Sequence, residues 1–107
     1  MLETYILVDK KPVIEPDVIK WAEWMDDLQK RRVAEDYIGD YRVSTVFLGL
    51  NHGIGQKAPM LFETMIFGLP EDEDYCVRSQ IWEEAEFDHK MAIEWVKRRL
   101  LENADGE

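Results

Sequence analysis

The stretch that decides the fold is residues 43–68, VSTVFLGLNHGIGQKAPMLFETMIFG. Two runs of strand-type residues, 43–50 and 60–67, flank a nine-residue connector at 51–59. This pattern predicts two antiparallel strands joined by a long loop. Hairpin loops ordinarily have two to five residues, and longer ones in compact domains are often functional. We therefore expect the strand pair to hold both ends of a loop that approaches a ligand.

Four shorter strands are predicted around this pair, because four runs of β-prone residues are flanked by turn residues. They are expected at residues 5–8, 11–14, 33–38 and 75–78. A turn at Asp9 and Lys10 would join the first two. Gly39 and Asp40 predict a two-residue type II′ turn into the long strand that starts at Tyr41, because glycine supplies the positive φ of the first turn position.

Two helices complete the predicted fold. Pro16 suits the first turn of a helix of about 14 residues, since a missing N–H costs nothing there. Its apolar stripe comprises Val18, Trp21, Ala22, Met25 and Leu28. The second helix is expected at 80–102, with Ser79 as its N-cap. This order predicts a single α+β domain over residues 1–107, an antiparallel sheet of four to six strands packed in two layers against two helices.

The chain is acidic, with 13 basic and 23 acidic residues and a formal net charge of −10. Such a field repels phosphates, so direct binding to nucleic acid or to a membrane surface is not expected. It permits docking onto basic surfaces of other proteins. The one cysteine, Cys76, excludes an internal disulfide and suits a reducing compartment. The sequence contains no recognisable signal peptide or membrane span, so we expect a cytoplasmic protein.

The apolar residues of the last predicted helix form two ridges. The ridge expected to pack on the sheet comprises Trp82, Ala85, His89, Ala92 and Val96. Phe87, Met91 and Trp95 form the second ridge at i, i+4 and i+8. A helix on a small two-layer domain needs only one such ridge, so the second either lies under a loop or faces another chain. The latter alternative predicts a homo-oligomer.

The connector carries residues that suit an anionic ligand: Asn51, His52, Gly53, Gly55 and Lys57. Glycines allow backbone N–H groups to point at an anion, Lys57 adds positive charge, and the side chains of Asn51 and His52 donate hydrogen bonds. The pattern is neither a Walker motif nor GxGxxG. The alternative is a flexible loop whose glycines only serve turns.

Glu63 and two other residues are further candidates for a ligand pocket. A carboxylate among apolar neighbours requires a partner, and Arg42 is favoured over Lys57 because arginine binds carboxylates bidentately. A hairpin symmetric about the connector would place Glu63 opposite Phe47. The alternative is that Glu63 lies on an exposed sheet face. Trp24 lies at the rim of its helix stripe, where an indole can stack on an aromatic ligand.

No metal, cofactor or catalytic group is expected. His52, His89 and Glu63 are the residue types of a two-histidine, one-carboxylate metal site, but their spacing matches no known signature. His89 is better explained as a core residue that is hydrogen-bonded to backbone. Cys76 has no CxxC partner, and nothing in the sequence indicates a lowered thiol pKa.

Five segments together resemble a family of small proteins encoded by tailed phages and prophages. They are YILVDKKPVIEP at 5–16, WAEW at 21–24, STVFLGLNH at 44–52, LFETMIFG at 61–68 and WEEAEFDH at 82–89. The resemblance covers most of residues 4–92. It implies a short accessory protein that acts in the cytoplasm of an infected bacterium and counters host defence by binding.

Three functional hypotheses follow. In the first, a non-enzymatic homo-oligomer sequesters a small nucleotide-like immune signal with the connector, Trp24, Arg42 and Glu63. In the second, an acidic surface occupies the basic nucleic-acid groove of a host defence protein. That surface would comprise Glu71, Asp72, Glu73, Asp74, Glu83, Glu84 and Glu86. In the third, His52 and Glu63 belong to a small hydrolase.

Overall fold

The computed structural model describes residues 3–51 and 58–105, and its elements confirm the predicted α+β class. In chain order they are β1 (Tyr5–Val8), β2 (Lys11–Ile14), α1 (Val18–Met25), α2 (Leu28–Arg31), β3 (Arg32–Ile38), β4 (Tyr41–Phe47), β5 (Phe62–Phe67), β6 (Cys76–Ser79) and α3 (Trp82–Asp105). The main sheet is antiparallel in the order β3-β4-β5-β6, and β1 and β2 form a separate two-stranded sheet. No helix in this part of the chain is long and apolar enough to cross a membrane.

Both two-residue hairpin turns form where the sequence predicts them. Asp9 and Lys10 connect β1 to β2 with φ angles of 50° and 68°. Gly39, at the first position of the turn from β3 to β4, has a φ of 58°. A positive φ at these positions matches the right-handed twist of the flanking strands, so the turns fix the register of each hairpin.

The core lies between α3 and the inner face of the main sheet, which alternate residues of β4 and β5 build. The strand side chains that are at most 1% exposed are Val43, Thr45, Phe47, Phe62 and Thr64. The helix contributes Ala85, His89, Ala92 and Val96, all buried. The first predicted ridge is thereby confirmed for these four residues, and its fifth member, Trp82, is half-buried with its ring centroid 6.2 Å from that of Phe62.

The two-stranded sheet and α1 close one end of this core. The backbone N–H of Tyr5 donates to the carbonyl of Gly49 at 2.8 Å, which joins β1 to the chain beyond β4. Trp24 and Met25 of α1 pack against the cluster that contains Phe47. This hydrogen bond and these hydrophobic contacts therefore anchor β1 and α1 to the main sheet.

The first helix is shorter than predicted. α1 begins at Val18 because the Asp17 carboxylate accepts from the N–H groups of Ile19 and Lys20, so Pro16 lies before the helix. It ends at Met25, and Asp27 caps the separate short helix α2. Three residues of the expected stripe are exposed: Val18 (61%), Ala22 and Leu28 (64%).

The two long strands are also shorter than predicted, and their register differs by one residue. β4 ends at Phe47 and β5 begins at Phe62. Gly49, with a φ of 75°, turns the chain out of the extended conformation before the connector. Glu63 pairs with Val46 rather than with Phe47, so the prediction from a symmetric connector is wrong.

The last helix also begins later than predicted. Ser79 ends β6 instead of capping a helix, and α3 begins at Trp82. Its first intrahelical hydrogen bond runs from the N–H of Ala85 to the carbonyl of Ile81 at 3.1 Å. Glu84 accepts from the backbone N–H of Gln80 at 3.1 Å, which satisfies a donor just before the helix.

Candidate functional site

A cleft of about 560 Å³ lies between the edge strand β6 and the first turns of α3. It is lined by Met60, Val77, Arg78, Ser79, Gln80, Glu83, Glu84, Phe87 and Asp88. The edge position of β6 and the helix that follows it after two residues create this concave surface. Its volume lies in the range of about 300–1,000 Å³ that is typical of binding pockets.

The polar wall of the cleft is acidic. Glu83 and Glu84 belong to the first turn of α3, where the helix dipole favours negative charge. Half-buried Asp88 lies one turn further on. Burial raises the pKa of Asp88, the Glu84 charge raises it further, and a hydrogen bond from Ser79 opposes both effects. A cation seated among these carboxylates would relieve the cost of ionising Asp88.

Another part of the cleft lining, its apolar wall, is exposed. Phe87 is 59% exposed and Val77 is 37% exposed, and Met60 completes this wall. Sequence analysis assigned Phe87 to a subunit contact, and the structure places it among the residues that line the cleft. The arrangement suits a ligand that combines positive charge with an aliphatic or aromatic portion, as lysine and arginine side chains do.

A buried chain of hydrogen bonds crosses the core beside the cleft. The hydroxyl oxygens of Thr64 and Thr45 are 2.7 Å apart, and the Thr45 oxygen is 2.7 Å from Nδ1 of His89. Nε2 of His89 is 2.7 Å from a carboxylate oxygen of Asp36. His89 is therefore a core residue as predicted, but it is bonded to side chains rather than to backbone.

The partners of this network determine its hydrogen positions. A carboxylate only accepts, so Nε2 of His89 carries the hydrogen that is donated to Asp36. In a neutral ring Nδ1 then accepts from Thr45, and Thr45 accepts from Thr64. The order resembles an acid–histidine–hydroxyl triad, but Thr45 is 0% exposed, so no substrate reaches its hydroxyl. The network is structural.

The predicted pair of Glu63 and Arg42 does not form. Glu63 accepts from Nε of Arg78 at 3.1 Å, whereas Arg42 donates to Glu35 at 3.0 Å and lies 4.2 Å from the centre of the Phe67 ring. The reason is register, since Val46, opposite Glu63, lies four residues or about 13 Å along β4 from Arg42.

Cys76 lies beside the same carboxylate, with its sulfur 3.5 Å from Glu63. Burial raises the pKa of the Cys76 thiol, and the charge of Glu63 and the hydrogen bond to it raise the pKa further. All three effects disfavour the thiolate, which is the nucleophilic form.

The other predicted ligand residues do not converge in the part of the chain that the structure describes. Trp24 packs edge to face on the inner-face residue Phe47, with ring centroids 5.7 Å apart, whereas Arg42 and Glu63 lie on the outer face of the sheet. The Asn51 side chain accepts from the backbone N–H of Met60 at 2.9 Å, linking the two ends of the connector. The remaining candidates, His52, Gly53, Gly55 and Lys57, lie outside the described residues, and the ligand loop stays a prediction.

The three residues considered for a metal site are not assembled by the described part of the fold. His89 contacts the inner face of the sheet, and Glu63, next to Thr64 in β5, points to the outer face. His52 is outside the described ranges. Among residues 3–51 and 58–105 no group of three or more histidine, cysteine or acidic side chains is arranged to hold a metal ion.

The second ridge of α3 divides into two environments. Phe87 and Met91 are exposed, at 59% and 43%. Trp95 is half-buried, with its ring centroid 5.3 Å from that of Tyr75 and 5.3 Å from the Arg99 guanidinium. A subunit contact through this ridge stays a prediction.

The predicted acidic surface is divided between the two ends of α3. Glu73 pairs with Arg99, with a hydrogen bond of 2.8 Å from Nη2, and this bond lowers the pKa of Glu73. Glu83 lies 16 residues before Arg99, which is about 24 Å along a helix. Residues 71–74 are therefore not part of the cleft. The cleft instead contains Asp88, which sequence reasoning missed. Its i, i+4 spacing from Glu84 could have indicated that the two carboxylates share one face of the helix.

A scan of protein-family models, a search of curated proteins and a search of solved structures found no match to this chain.

Proposed function

We propose that this protein is a non-enzymatic binding protein whose acidic cleft takes up basic side chains of a partner protein. In the setting that the resemblance to phage and prophage proteins implies, the partner is a host defence protein with a basic groove for nucleic acid. The observation that carries the proposal is the convergence of Glu83, Glu84 and Asp88 in one concave site.

The charge of the cleft selects the sign of its ligand. Three carboxylates face one arginine there, Arg78, which is paired with Glu63. A phosphate would be repelled at this site, whereas a guanidinium or ammonium group would form charge-assisted hydrogen bonds. The raised pKa of Asp88 also supports a positively charged ligand, because a bound cation would favour the ionised form of this carboxyl group. The apolar wall of Phe87 and Val77 would contact the aliphatic part of the same side chains.

The two other hypotheses have less support in the described residues. The hydrolase hypothesis requires His52 near Glu63, but Glu63 is already paired with Arg78 on the outer face. The nucleotide hypothesis depends on the connector, because Trp24, Arg42 and Glu63 are on different faces of the sheet. Both therefore rest on the sequence pattern alone.

A fluorescently labelled arginine-rich peptide would test the proposal by anisotropy at low and at high ionic strength. We expect binding that weakens with salt, because exposed charge pairs are screened. The triple variant Glu83→Gln, Glu84→Gln, Asp88→Asn should lose most of this binding. Glutamine at 84 still accepts from the backbone N–H of Gln80, so the helix start is preserved.

A matched control removes the same number of charges from the same helix, outside the cleft. It combines Glu86→Gln, Glu94→Gln and Glu102→Gln, none of which lines the cleft. The control should bind the peptide nearly as well as the parent chain. Equal losses in both triple variants would mean that only the overall charge matters, and the proposed site would be wrong. A melting temperature that nucleotides raise and the peptide does not would favour the connector instead.

A further inference from the structure

The outer face of the main sheet is amphipathic and differs in charge from the rest of the molecule. Its apolar part includes Tyr37, Val46, Met65 and Phe67, of which Tyr37 is 71% and Phe67 39% exposed. Its charges are Glu35, which pairs with Arg42 at 3.0 Å and with Arg32 at 3.9 Å, and Glu63, which pairs with Arg78 at 3.1 Å.

The described helices do not cover this face. The long helix α3 contacts all four strands of the main sheet, and its buried residues meet the inner-face residues of β4 and β5. The Trp24 side chain of α1 packs at the inner-face residue Phe47. An antiparallel sheet can leave one face in water, but solvated faces are usually polar, and this one carries aromatic side chains.

The charge of the outer face, compared with that of the rest of the chain, favours one kind of partner. It carries three arginines and two glutamates when Arg32, 3.9 Å from Glu35, is included. The rest of the chain has 10 basic and 21 acidic residues, given totals of 13 and 23. Two copies can therefore approach through this face without the repulsion that their acidic surfaces impose. The rival surface on α3 around Phe87 is flanked by Glu83, Glu84 and Glu86, so like charges would meet there.

We infer that the outer face of the main sheet is a contact between two copies of this chain. An open sheet face suits another protein surface better than a small ligand, which needs a concave site. With six to seven residues in the central strands, the face measures roughly 14 by 20 Å. That is about 280 Å², well below the roughly 800 Å² per partner that stable interfaces bury, so we expect a weak dimer that forms only at high protein concentration.

Matched aromatic-to-glutamate variants on the two rival surfaces test this inference. Sedimentation of the parent chain from low-micromolar to millimolar concentration should show a shift from 12.7 kDa toward twice that mass. Tyr37→Glu should remain monomeric, and Phe87→Glu should associate as the parent does. Both side chains are mostly exposed, so neither change should disturb folding. The reverse pattern would assign the contact to α3, and a parent chain that is monomeric throughout would also overturn the inference.

Cys76 provides a second readout that needs no substitution. Its side chain reaches the outer face beside Glu63, so association should slow its alkylation by a maleimide as protein concentration rises. Mass doubling with an unchanged alkylation rate would overturn the inference. Peptide binding at the cleft is measured separately, so failure of the dimer leaves the proposed function standing, and failure of the cleft leaves the dimer standing.

Discussion

Two neighbouring residues of α3, Asp88 and His89, differ in how well their surroundings satisfy a polar side chain. His89 points into the core, and both of its ring nitrogens have partners 2.7 Å away. Asp88 points into the cleft, where burial and the charge of Glu84 raise its pKa. One polar group is enclosed and satisfied, while the other is half-buried beside a like charge.

The difference separates a structural site from a candidate functional one. A fully paired buried network stabilises the fold and specifies one packing arrangement. A carboxylate held where its charged form is disfavoured lowers stability, and such groups are concentrated at binding and catalytic sites. The network around His89 should therefore be sensitive to the loss of any one of its buried members, whereas the cleft should tolerate the loss of the Asp88 charge or become more stable.

The largest expected effect is on the buried network. Thr45→Val keeps the shape of the side chain but removes the donor to Nδ1 of His89 and the acceptor for Thr64. Leaving buried polar groups unpaired costs about 1–3 kcal/mol each. We expect the free energy of unfolding in urea to fall by about 2–4 kcal/mol, the upper part of that range reflecting two affected partners.

A fully apolar version of the network distinguishes lost hydrogen bonds from lost packing. The triple variant Thr45→Val, Thr64→Val, His89→Leu removes every buried polar partner together, which can be nearly neutral when shape is conserved. It should be more stable than Thr45→Val alone. If the triple variant is the less stable of the two, the cost arises from packing and not from unpaired groups.

A smaller effect is expected for the ion pairs of the outer face. The Glu63 side chain is 16% exposed and that of Arg78 is 41% exposed, so Glu63→Gln should cost about 1 kcal/mol or less. A double-mutant cycle for Glu63 with Arg78 should give a measurable coupling energy. The same cycle with Arg42 should give a coupling near zero, since sites further apart than about 7–10 Å are usually additive. Equal couplings would contradict the observed register.

Periodicity predicted the elements well because it depends on local burial. The inward ridge of α3 and the two hairpin turns follow from spacing and from the conformational freedom of Gly39. Pairing across strands was predicted less well. Arg42 was wrongly chosen because it lies four residues along β4 from Val46, the residue opposite Glu63. Arg78 was missed because it lies directly opposite Glu63 on β6, and no local pattern sets the register of β6 against β5.

The candidate site was predicted less completely than the fold, because it depends on where distant segments meet. Glu83 and Glu84 were recognised as an acidic group, but Asp88 enters the cleft only because α3 passes beside β6. The acids at 71–74 were included through sequence proximity, and the structure separates them along the helix. Asp36 as the partner of His89 required a contact between residues 53 positions apart, which no local pattern indicates.

A third prediction concerns the exposed end of the network. The Asp36 side chain is 52% exposed, so water can replace much of its interaction with His89. Asp36→Asn keeps an oxygen that accepts from Nε2, and we expect a loss of about 0.5 kcal/mol or less. A loss as large as that of Thr45→Val would mean that the carboxylate charge itself holds the network together.

The smallest expected effect has the opposite sign and depends on pH. Because the pKa of Asp88 is higher in the folded state than in the unfolded chain, the folded state binds more protons between the two values. The contribution of Asp88 to stability should therefore decrease as pH rises from the unfolded value, about 3.9, through the folded one. Asp88→Asn cannot ionise, so it should be slightly more stable than the parent chain at neutral pH, and the difference should shrink on acidification.

Thermal unfolding of the parent chain and of Asp88→Asn from pH 3 to pH 7 checks the sign of this difference in stability. Glu86→Gln is the matched control, because this exposed glutamate on the same helix does not line the cleft, and it should show no comparable pH-dependent gain. If Asp88→Asn is the less stable protein at neutral pH, the carboxylate stabilises the fold, through its bond to Ser79 for example, and the contrast with His89 fails. If the variant is more stable and binds the arginine-rich peptide less tightly, then the charge at Asp88 is retained for binding at the expense of stability.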